Sequence, residues 1–138
     1  MTVDPFTAPT GAFLSAVGLE MQPVDAADVA AQGVRGSLVV DERHHTPWGV
    51  VHGGVWATVV ETVASVGASL AVAEQGQFAV GVDNLTDFHR PVVSGRLDVV
   101  GTPVQIGRTL QTWDVMLTDE RGKLVARGRV RLANQPLP

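Results

Sequence analysis

The chain contains no cysteine among its 138 residues. It can therefore form no disulfide and has no thiolate nucleophile, and any metal site would need histidine and carboxylate ligands. The first eleven residues, MTVDPFTAPTG, have neither the basic segment nor the apolar segment of a secretory signal. We therefore expect a cytoplasmic protein whose chemistry depends on oxygen and nitrogen groups.

Basic residues are scarce in the first two thirds of the chain. Residues 1–89 contain two, Arg35 and Arg43, against ten acidic residues, whereas residues 90–138 contain eight against four. The net charges of these two parts are therefore −8 and +4. Because a nucleic-acid-binding domain is usually basic as a whole, this distribution argues against nucleic acid. It is compatible with an anionic small ligand that contacts the basic C-terminal part.

The longest apolar stretch, residues 54–73, is nearly long enough to cross a membrane. Hydroxyl side chains and Glu61 interrupt it, whereas a membrane span is predominantly apolar. We expect a buried helix here and no membrane association. With 45% hydrophobic and 17% charged residues, the composition is that of a folded protein. The length suits a single domain over 1–138, with its core at about 10–133.

The order of elements predicts an α+β fold. TAPTGAFLSAVG predicts a short helix, with Thr10 as its N-cap and Gly18 as its stop signal. Proline and glycine then mark a loop, and a long helix follows over about 54–75, ended by Gly76. Strands are predicted at 34–41, 78–90, 96–107, 109–119 and 123–133. Because no other helix is long enough to cover the long one, a curved antiparallel sheet wrapped around it would bury it best.

At 100° per residue, the long helix has two apolar flanks and one narrow polar seam. The flanks are Val55, Val59, Thr62, Val66, Leu70 and Ala73 on one side and Trp56, Val60, Val63, Ala64 and Ala71 on the other. The seam consists of small residues and one carboxylate: Gly54, Thr58, Glu61, Ser65 and Ala68. A buried unpaired carboxylate costs on the order of several kcal/mol. Glu61 therefore has either a structural partner, such as an arginine, or a function, and Ser65 is close enough to meet it.

The tripeptide HGG, His52 to Gly54, directly precedes this helix. Unpaired N–H groups and the positive dipole end at a helix start can polarise a carbonyl or hold an oxyanion. Together with a carboxylate acting as base or nucleophile, they suit hydrolysis of an acyl compound. Glu61 is roughly 10 Å from Gly54 along the helix axis at 1.5 Å per residue. Two helices packed side by side in a dimer could bring both groups to one carbonyl.

Two segments together resemble the hotdog-fold acyl-CoA thioesterases: HTPWGVVHGGVWATVVETVASVGA and HRPVVSGRLDVVGTPVQIGRTLQTWDVMLTDERGKLVARGRVRL. They are most similar to the subgroup that contains the phenylacetic-acid-pathway thioesterase, the Arthrobacter-type 4-hydroxybenzoyl-CoA thioesterase and the enterobactin proofreading thioesterase. The resemblance covers roughly 10–133, and its most specific part is H-x-P-x-G-x-x-H-G-G followed by a helical glutamate. It implies a hotdog fold, with subunits paired through their sheets and active sites at the interface.

The resemblance also implies roles for individual residues. By position, the N–H of Gly53 polarises the thioester carbonyl, and Glu61 of a second subunit is the general base or nucleophile. Ser65 helps to place the water, and His52 supports the site or the leaving group. Thr46 stands where related enzymes usually have a glutamine whose amide contacts the carbonyl region. Because threonine is shorter and has no amide, either the rate or the pose of the substrate would differ here.

The implied substrate is an aryl- or medium-chain acyl group on coenzyme A or on a carrier-bound pantetheine. Gly54, Arg90, Arg108 and Thr109 match positions that contact the substrate or CoA, although each arginine could instead be a solvated strand end. The resemblance implies no cofactor and a homodimer or a homotetramer. The three arginines of residues 127–131 alternate along the last strand, so we predict that they lie on the solvent face of the sheet.

Other functions are compatible with parts of the sequence. A hydratase or dehydratase acting on enoyl or hydroxyacyl thioesters would use the same fold, and a non-catalytic acyl-CoA-binding module would explain Thr46. His44 and His45 lie near Asp41 and Glu42, but their spacing matches no metal motif, so we predict no metal. The sequence has no G-x-S-x-G elbow, which argues against a serine hydrolase.

Overall fold

The computed structural model describes residues 11–138, so Thr10, the predicted N-cap of the first helix, lies outside the described residues. The helices are α1 (Ala12–Val17), α2 (Val29–Gln32) and α3 (Gly53–Ala71), with short 3₁₀ turns at Ala26–Asp28, Glu42–His44 and Ala73–Gln75. The strands are β1 (Glu20–Met21), β2 (Val34–Val40), β3 (Gln77–Phe88), β4 (Gly95–Ile106), β5 (Leu110–Thr118) and β6 (Leu124–Pro136). All pairs are antiparallel, in the order β1-β2-β4-β5-β6-β3, which confirms the predicted α+β architecture.

The boundaries of the elements differ from the predictions in a few places. The prediction that the long helix reaches residue 75 was wrong, because α3 ends at Ala71 and a 3₁₀ turn continues to Gly76. Gly18 and Gly76 both have left-handed backbone, with φ of 77° and 70°, as expected of residues that end helical segments. β6 continues past the predicted end at residue 133 because its last residues pair with the start of β3. The short elements β1 and α2 were not predicted.

One side of α3 packs against the sheet and forms the centre of the core. Its buried residues are Trp56, Val59, Val60, Val63, Ala64, Gly67 and Ala68. The prediction that both apolar flanks are buried was therefore only half right. On the first flank Val55, Val66 and Leu70 are only half-buried and Ala73 is exposed, so the sheet does not fully cover that side of the helix. α3 is long and apolar enough to span a membrane, but its packing against the sheet is that of a core helix.

A buried polar network joins α3 to the centre of the sheet. The indole N–H of Trp113 donates to Gln111 Oε1 at 2.8 Å. The Gln111 amide nitrogen donates to the carbonyl of Ala68 at 3.0 Å and to Asn134 Oδ1 at 2.8 Å. Every buried polar atom in this network therefore has a partner, which is the condition under which such groups stabilise a core. The network fixes the position of α3 along the sheet.

A bulge in β3 changes which of its side chains face α3. The pairing of β3 with β6 shifts between Gly81 and Asp83. Before the shift, odd-numbered residues face the helix, since Ala79 is buried and a Cβ on Gly81 would overlap the Glu61 carboxylate. After the shift, Asn84 and Phe88 contact α3. The extra residue therefore reverses the alternation of the strand, as a β-bulge does.

The outer edge of β3 has no neighbouring strand among the described residues. The strand is 12 residues long and exposes four large apolar side chains. These are Val80, Val82, Leu85 and Phe88, with exposed fractions of 43%, 59%, 61% and 57%. A long, apolar, open edge is a template for pairing with another chain.

The close contact between Gly67 and the Trp113 ring gives a prediction about stability. A Cβ on Gly67 would lie 2.6 Å from the indole. Although glycine to alanine usually stabilises a helix by about 0.8–1 kcal/mol, we expect Gly67→Ala to destabilise the protein by about 1–3 kcal/mol because the core becomes overpacked. Urea unfolding would measure this change. Adding Trp113→Phe, which removes the outer indole ring, should reduce the cost of Gly67→Ala. A Gly67→Ala protein more stable than the native one would contradict this packing.

Candidate active site

His52 is the N-cap of α3. Its Nδ1 accepts a hydrogen bond from the N–H of Gly54 at 2.8 Å. Because a backbone N–H can only donate, a neutral His52 ring carries its proton on Nε2. The N–H of Gly54, a residue predicted to contact the substrate or CoA, is therefore already bonded within the chain.

Gly53 is the first residue of α3, and its N–H has no acceptor among the described residues. The Phe88 ring lies directly against it, so that a Cβ on Gly53 would overlap the ring. An open cleft of 190 Å³ adjoins this position, lined by Val51, Gly53, Trp56, Phe88, His89, Arg90 and Pro91. A free donor at a helix N-terminus, beside an apolar wall, is suited to polarise a carbonyl oxygen.

Glu61 lies two turns further along α3 and is half-buried. Its Oε2 accepts a hydrogen bond from Asn84 Nδ2 at 3.0 Å, and its carboxylate lies over Gly81. No arginine, lysine or histidine within residues 11–138 forms an ion pair with it. The cleft beside it has a volume of 270 Å³ and is lined by Phe13, Ala57, Thr58, Glu61, Thr62 and Asn84. The Glu61 carboxylate is thus hydrogen-bonded to Asn84 on one side and faces the open cleft on the other.

Gly53 and Glu61 belong to different clefts of the same chain. Eight residues of helix separate them, which is roughly 12 Å at 1.5 Å per residue. A single carbonyl cannot contact both groups of one chain.

Two other residues predicted at the site, Ser65 and Thr46, make no hydrogen bond to Glu61 in this chain. Ser65 is half-buried and makes no hydrogen bond to Glu61, which Asn84 contacts instead. Thr46 begins the tight turn before α3, where its N–H donates to the carbonyl of Val50 at 2.7 Å. Its hydroxyl accepts from the N–H of Trp48 at 3.3 Å, and the Trp48 side chain is 86% exposed. The Thr46 hydroxyl therefore stabilises this turn.

The two adjacent histidines hold backbone segments together. Nε2 of buried His44 donates to the carbonyl of Val17 at 2.7 Å, which joins α1 to the loop before α3. Nε2 of His45 donates to the carbonyl of Val93 at 2.7 Å. Within residues 11–138, no three histidine, aspartate or glutamate side chains are grouped closely enough to hold a metal ion.

Arg90 is exposed at the rim of the cleft that contains Gly53. Its charge also acts on Asp119 in the turn between β5 and β6. The N–H of Lys123 donates to that carboxylate at 2.9 Å and is the largest cause of the lowered pKa of Asp119. The N–H of Arg121 and the Arg90 guanidinium lower this pKa further. Asp119 therefore stabilises the fold above its unfolded pKa, and this contribution is lost as the pH falls through the lower folded value.

Arg108 and Thr109 lie at the opposite end of the sheet from Arg90. Phe88 pairs with Ala126 of β6, whereas Leu110, which follows the turn, pairs with Ala133. Seven residues of β6 separate these levels, roughly 23 Å at 3.3 Å per residue. One chain does not bring these candidate CoA contacts together.

The arginines of β6 lie on the outer face of the sheet, which confirms the prediction. Arg127 and Arg131 form ion pairs with Asp114 and Asp83 at 3.7 and 3.8 Å, and all four side chains are substantially exposed.

Two β3 residues whose side chains contact Gly53 or Glu61, Phe88 and Asn84, were not predicted from the sequence. Uninterrupted alternation from Ala79 would turn even-numbered residues away from the helix. Only the bulge at Gly81–Asp83 brings them inward, and glycine in the strand was its one sequence signal.

Comparisons with known proteins give the family. Residues 49–126 match the model of the thioesterase superfamily. The chain belongs to the thioesterase superfamily. A Mycobacterium tuberculosis protein described as a candidate esterase is 38% identical over 109 residues, which cover 78% of each chain. The proofreading thioesterase EntH of Klebsiella pneumoniae is 38% identical over 86 residues, or 62% of each chain.

Two solved structures have the same fold as this chain. The structure of the Mycobacterium tuberculosis protein has a TM-score of 0.83 at 36% identity, covering 91% of this chain and 98% of the other. A thioesterase from Haemophilus influenzae has a TM-score of 0.83 at 31% identity, covering 93% and 85%. This thioesterase superfamily member therefore has the hotdog fold and is a thioester hydrolase, which disfavours the hydratase and the non-catalytic binding module.

The His52 cap gives a prediction that separates structure from chemistry. We expect His52→Ala to lower the free energy of unfolding by about 0.5–2 kcal/mol, because the Gly54 N–H loses its acceptor. His52→Asn should recover most of this loss, since asparagine is a good N-cap. Urea unfolding and thioester turnover would be measured on both variants. Recovery of stability without recovery of turnover would show that the imidazole does more than cap the helix. An Ala variant as stable as the native protein would contradict the capping role.

Proposed function

We propose that this thioesterase hydrolyses an aryl- or medium-chain acyl-CoA to the free acid and CoA, at a site formed by two copies of the chain. The observation that carries the proposal is the placement of the two groups on α3. The free N–H of Gly53 and the carboxylate of Glu61 each lie beside an open cleft, roughly 12 Å apart along one helix. Each cleft holds one half of the machinery for acyl transfer.

The open edge of β3 supports pairing of two such chains. Along β3, Gly53 lies level with Phe88, and Glu61 lies level with Gly81 and Asn84. In an antiparallel pairing of two β3 edges, Phe88 of one copy would align with residues 81–84 of the other when the two-fold axis passes near Leu85. Gly53 of one copy would then face Glu61 of the other, twice by symmetry. The same pairing would cover the exposed apolar residues of the edge.

In the proposed reaction, the thioester carbonyl oxygen accepts a hydrogen bond from the Gly53 N–H. Glu61 of the second copy removes a proton from water, whose oxygen attacks the carbonyl carbon. The C–S bond then breaks, and the CoA thiolate leaves and takes up a proton. Alternatively, Glu61 attacks directly to form a mixed anhydride, which water hydrolyses. A single turnover in oxygen-18 water separates these routes, because only the anhydride route places label in Glu61.

The arginines at the two ends of the sheet support CoA as the leaving group. Antiparallel pairing of β3 would bring the Arg108–Thr109 turn of one copy toward the end of the sheet that carries Arg90 of the other. Two guanidinium groups at the mouth of the site could then contact CoA phosphates, with which arginine forms strong hydrogen bonds. The exposed Trp48 and the Phe88 ring provide apolar surface for an acyl group. We expect a homodimer at least, and a homotetramer if a second interface forms.

We expect Glu61→Gln to lower kcat by about 100- to 10,000-fold, because the amide can act neither as general base nor as nucleophile. Thiol release from aryl- and medium-chain acyl-CoAs, followed with a thiol-reactive dye, would measure this change. Glu74→Gln, the same substitution at an exposed position beyond the end of α3, is the matched control and should keep native turnover. Native kcat in the Glu61→Gln protein would refute the role given to this carboxylate.

Gly53 offers a way to remove one N–H without unwinding the helix. It is the first residue of α3, a position where proline is favoured, and His52 before it has the extended backbone that a following proline requires. We expect Gly53→Pro to lower kcat by about 100- to 1,000-fold, the typical cost of removing one oxyanion donor. Gly53→Ala places a similar Cβ against Phe88 but keeps the N–H, so it should lose much less. Equal losses of kcat in both variants would show that the effect comes from crowding of Phe88 and not from removal of the N–H.

Mixing the two inactive variants tests the two-chain site. A heterodimer of Gly53→Pro and Glu61→Gln chains has one site with both native groups and one with neither. Random reassociation of equal amounts should therefore restore roughly a quarter of native turnover. No restoration after confirmed subunit exchange would show that both groups act within one chain.

A further inference from the structure

The carboxylate of Glu61 is held by a single side chain from β3. Asn84 Nδ2 donates to Glu61 Oε2 at 3.0 Å and to the backbone carbonyl of Ala57 at 3.1 Å. Ala57 lies one helical turn before Glu61, so the amide bridges the backbone of one turn and the side chain of the next. Both hydrogens of the amide nitrogen are used, and the second one fixes where Oε2 points.

The orientation of the Asn84 amide follows from its partners. A backbone carbonyl can only accept, so the atom that faces Ala57 must be the nitrogen. Oδ1 then faces Thr86, whose hydroxyl donates to it at 2.6 Å. The result is a chain of donors from Thr86 through Asn84 to Glu61. It leaves Glu61 Oε1 free of hydrogen bonds from the described residues.

The bulge in β3 creates this arrangement. Asn84 reaches the helix only because the shift between Gly81 and Asp83 turns even-numbered residues inward. Gly81, directly under the carboxylate, has no Cβ, and any Cβ there would overlap Oε1. The register of β3, the absence of a Cβ at Gly81 and the amide of Asn84 therefore all affect the orientation of the Glu61 carboxylate.

We propose that Asn84 is a positioning residue for Glu61, which aims Oε1 at the attacking water or the carbonyl carbon; this inference rests on the proposed function. It acts by holding Oε2, so that the free oxygen keeps one direction during the reaction. A misplacement of about 1 Å at a reacting group can cost roughly 100-fold in rate. In this role Asn84 acts through Glu61 rather than on the water or the substrate.

The groups that face Glu61 within the described chain are uncharged. They are Ala57, Thr58 and Thr62 on α3, Gly81 and Asn84 on β3, and Phe13 on α1. In the two-chain site, the second copy would add His52 next to Gly53, and His89 and Arg90 from the lining of the Gly53 cleft. A new charge at position 84 would therefore be the dominant change in the electrostatic surroundings of this carboxylate.

Two substitutions test the positioning role. Asn84→Leu keeps the approximate volume and removes the donor, so kcat should fall about 10- to 100-fold while KM changes by less than about threefold. Asn84→Asp keeps the shape but places a second carboxylate 3.0 Å from Oε2. The acid limb of its profile of kcat against pH should therefore move to higher pH by about one unit or more. Gln105→Glu, the same amide-to-acid change on β4 at an exposed position, should keep the native profile.

The controls separate the possible outcomes. Thermal unfolding shows whether each variant folds, and the shape of a pH profile does not depend on the fraction of active protein. If both Asn84 variants kept native kcat and the native profile while Glu61→Gln was inactive, the positioning role would be wrong and the proposed function would stand. If Asn84→Leu was less stable but turned over normally, Asn84 would be structural only. If Glu61→Gln was active, the proposed function itself would fail.

Discussion

The packing of α3 against the concave sheet is the constraint on which the rest of the structure depends. The sheet covers only one side of the helix, where Trp56, Val59 and Val60 are buried, and leaves Glu61, Thr62 and Val66 half-exposed. A fully enclosed helix could not present a carboxylate to substrate without a high desolvation cost. A fully exposed one would not hold it in place. Covering one side keeps the helix fixed and leaves its polar seam available.

The polar network around Gln111 and the bulge in β3 together determine which side chains of the sheet meet which residues of α3. The network fixes where α3 lies along the sheet, because Gln111 bonds to the backbone of Ala68 and to Asn134. The bulge then decides which β3 side chains meet the other end of the helix. A one-residue change in strand alternation exchanges the two faces of a strand. Without the bulge, Asn84 would lie on the solvent side and Glu61 would have no partner from the sheet.

Much of the fold could be predicted from the sequence. The spacing of apolar residues along a segment and the turn-forming residues at its ends are both local signals. The long helix, five of the six strands and the glycines that end helical segments are found as predicted, apart from their ends. Helical spacing alone also predicted that Glu61 is the one carboxylate in the narrow polar seam of α3. Its partner Asn84 was not predicted, because the bulge depends on the pairing of β3 with β6, which at Gly81 and Asp83 joins residues about 50 positions apart in the sequence. The turn role of the Thr46 hydroxyl likewise depends on loop geometry rather than on pattern.

The open edge of β3 and the separation of Gly53 from Glu61 concern the same surface of the chain. An edge strand that exposes Val80, Val82, Leu85 and Phe88 favours association with another chain. Each chain also separates its donor, Gly53, from its carboxylate, Glu61, by two helical turns. Pairing of β3 near Leu85 would satisfy both conditions at once, since the contact that buries the apolar edge also aligns Gly53 with the second Glu61. Under this arrangement, an isolated chain would be both prone to association and inactive, so activity would be linked to assembly.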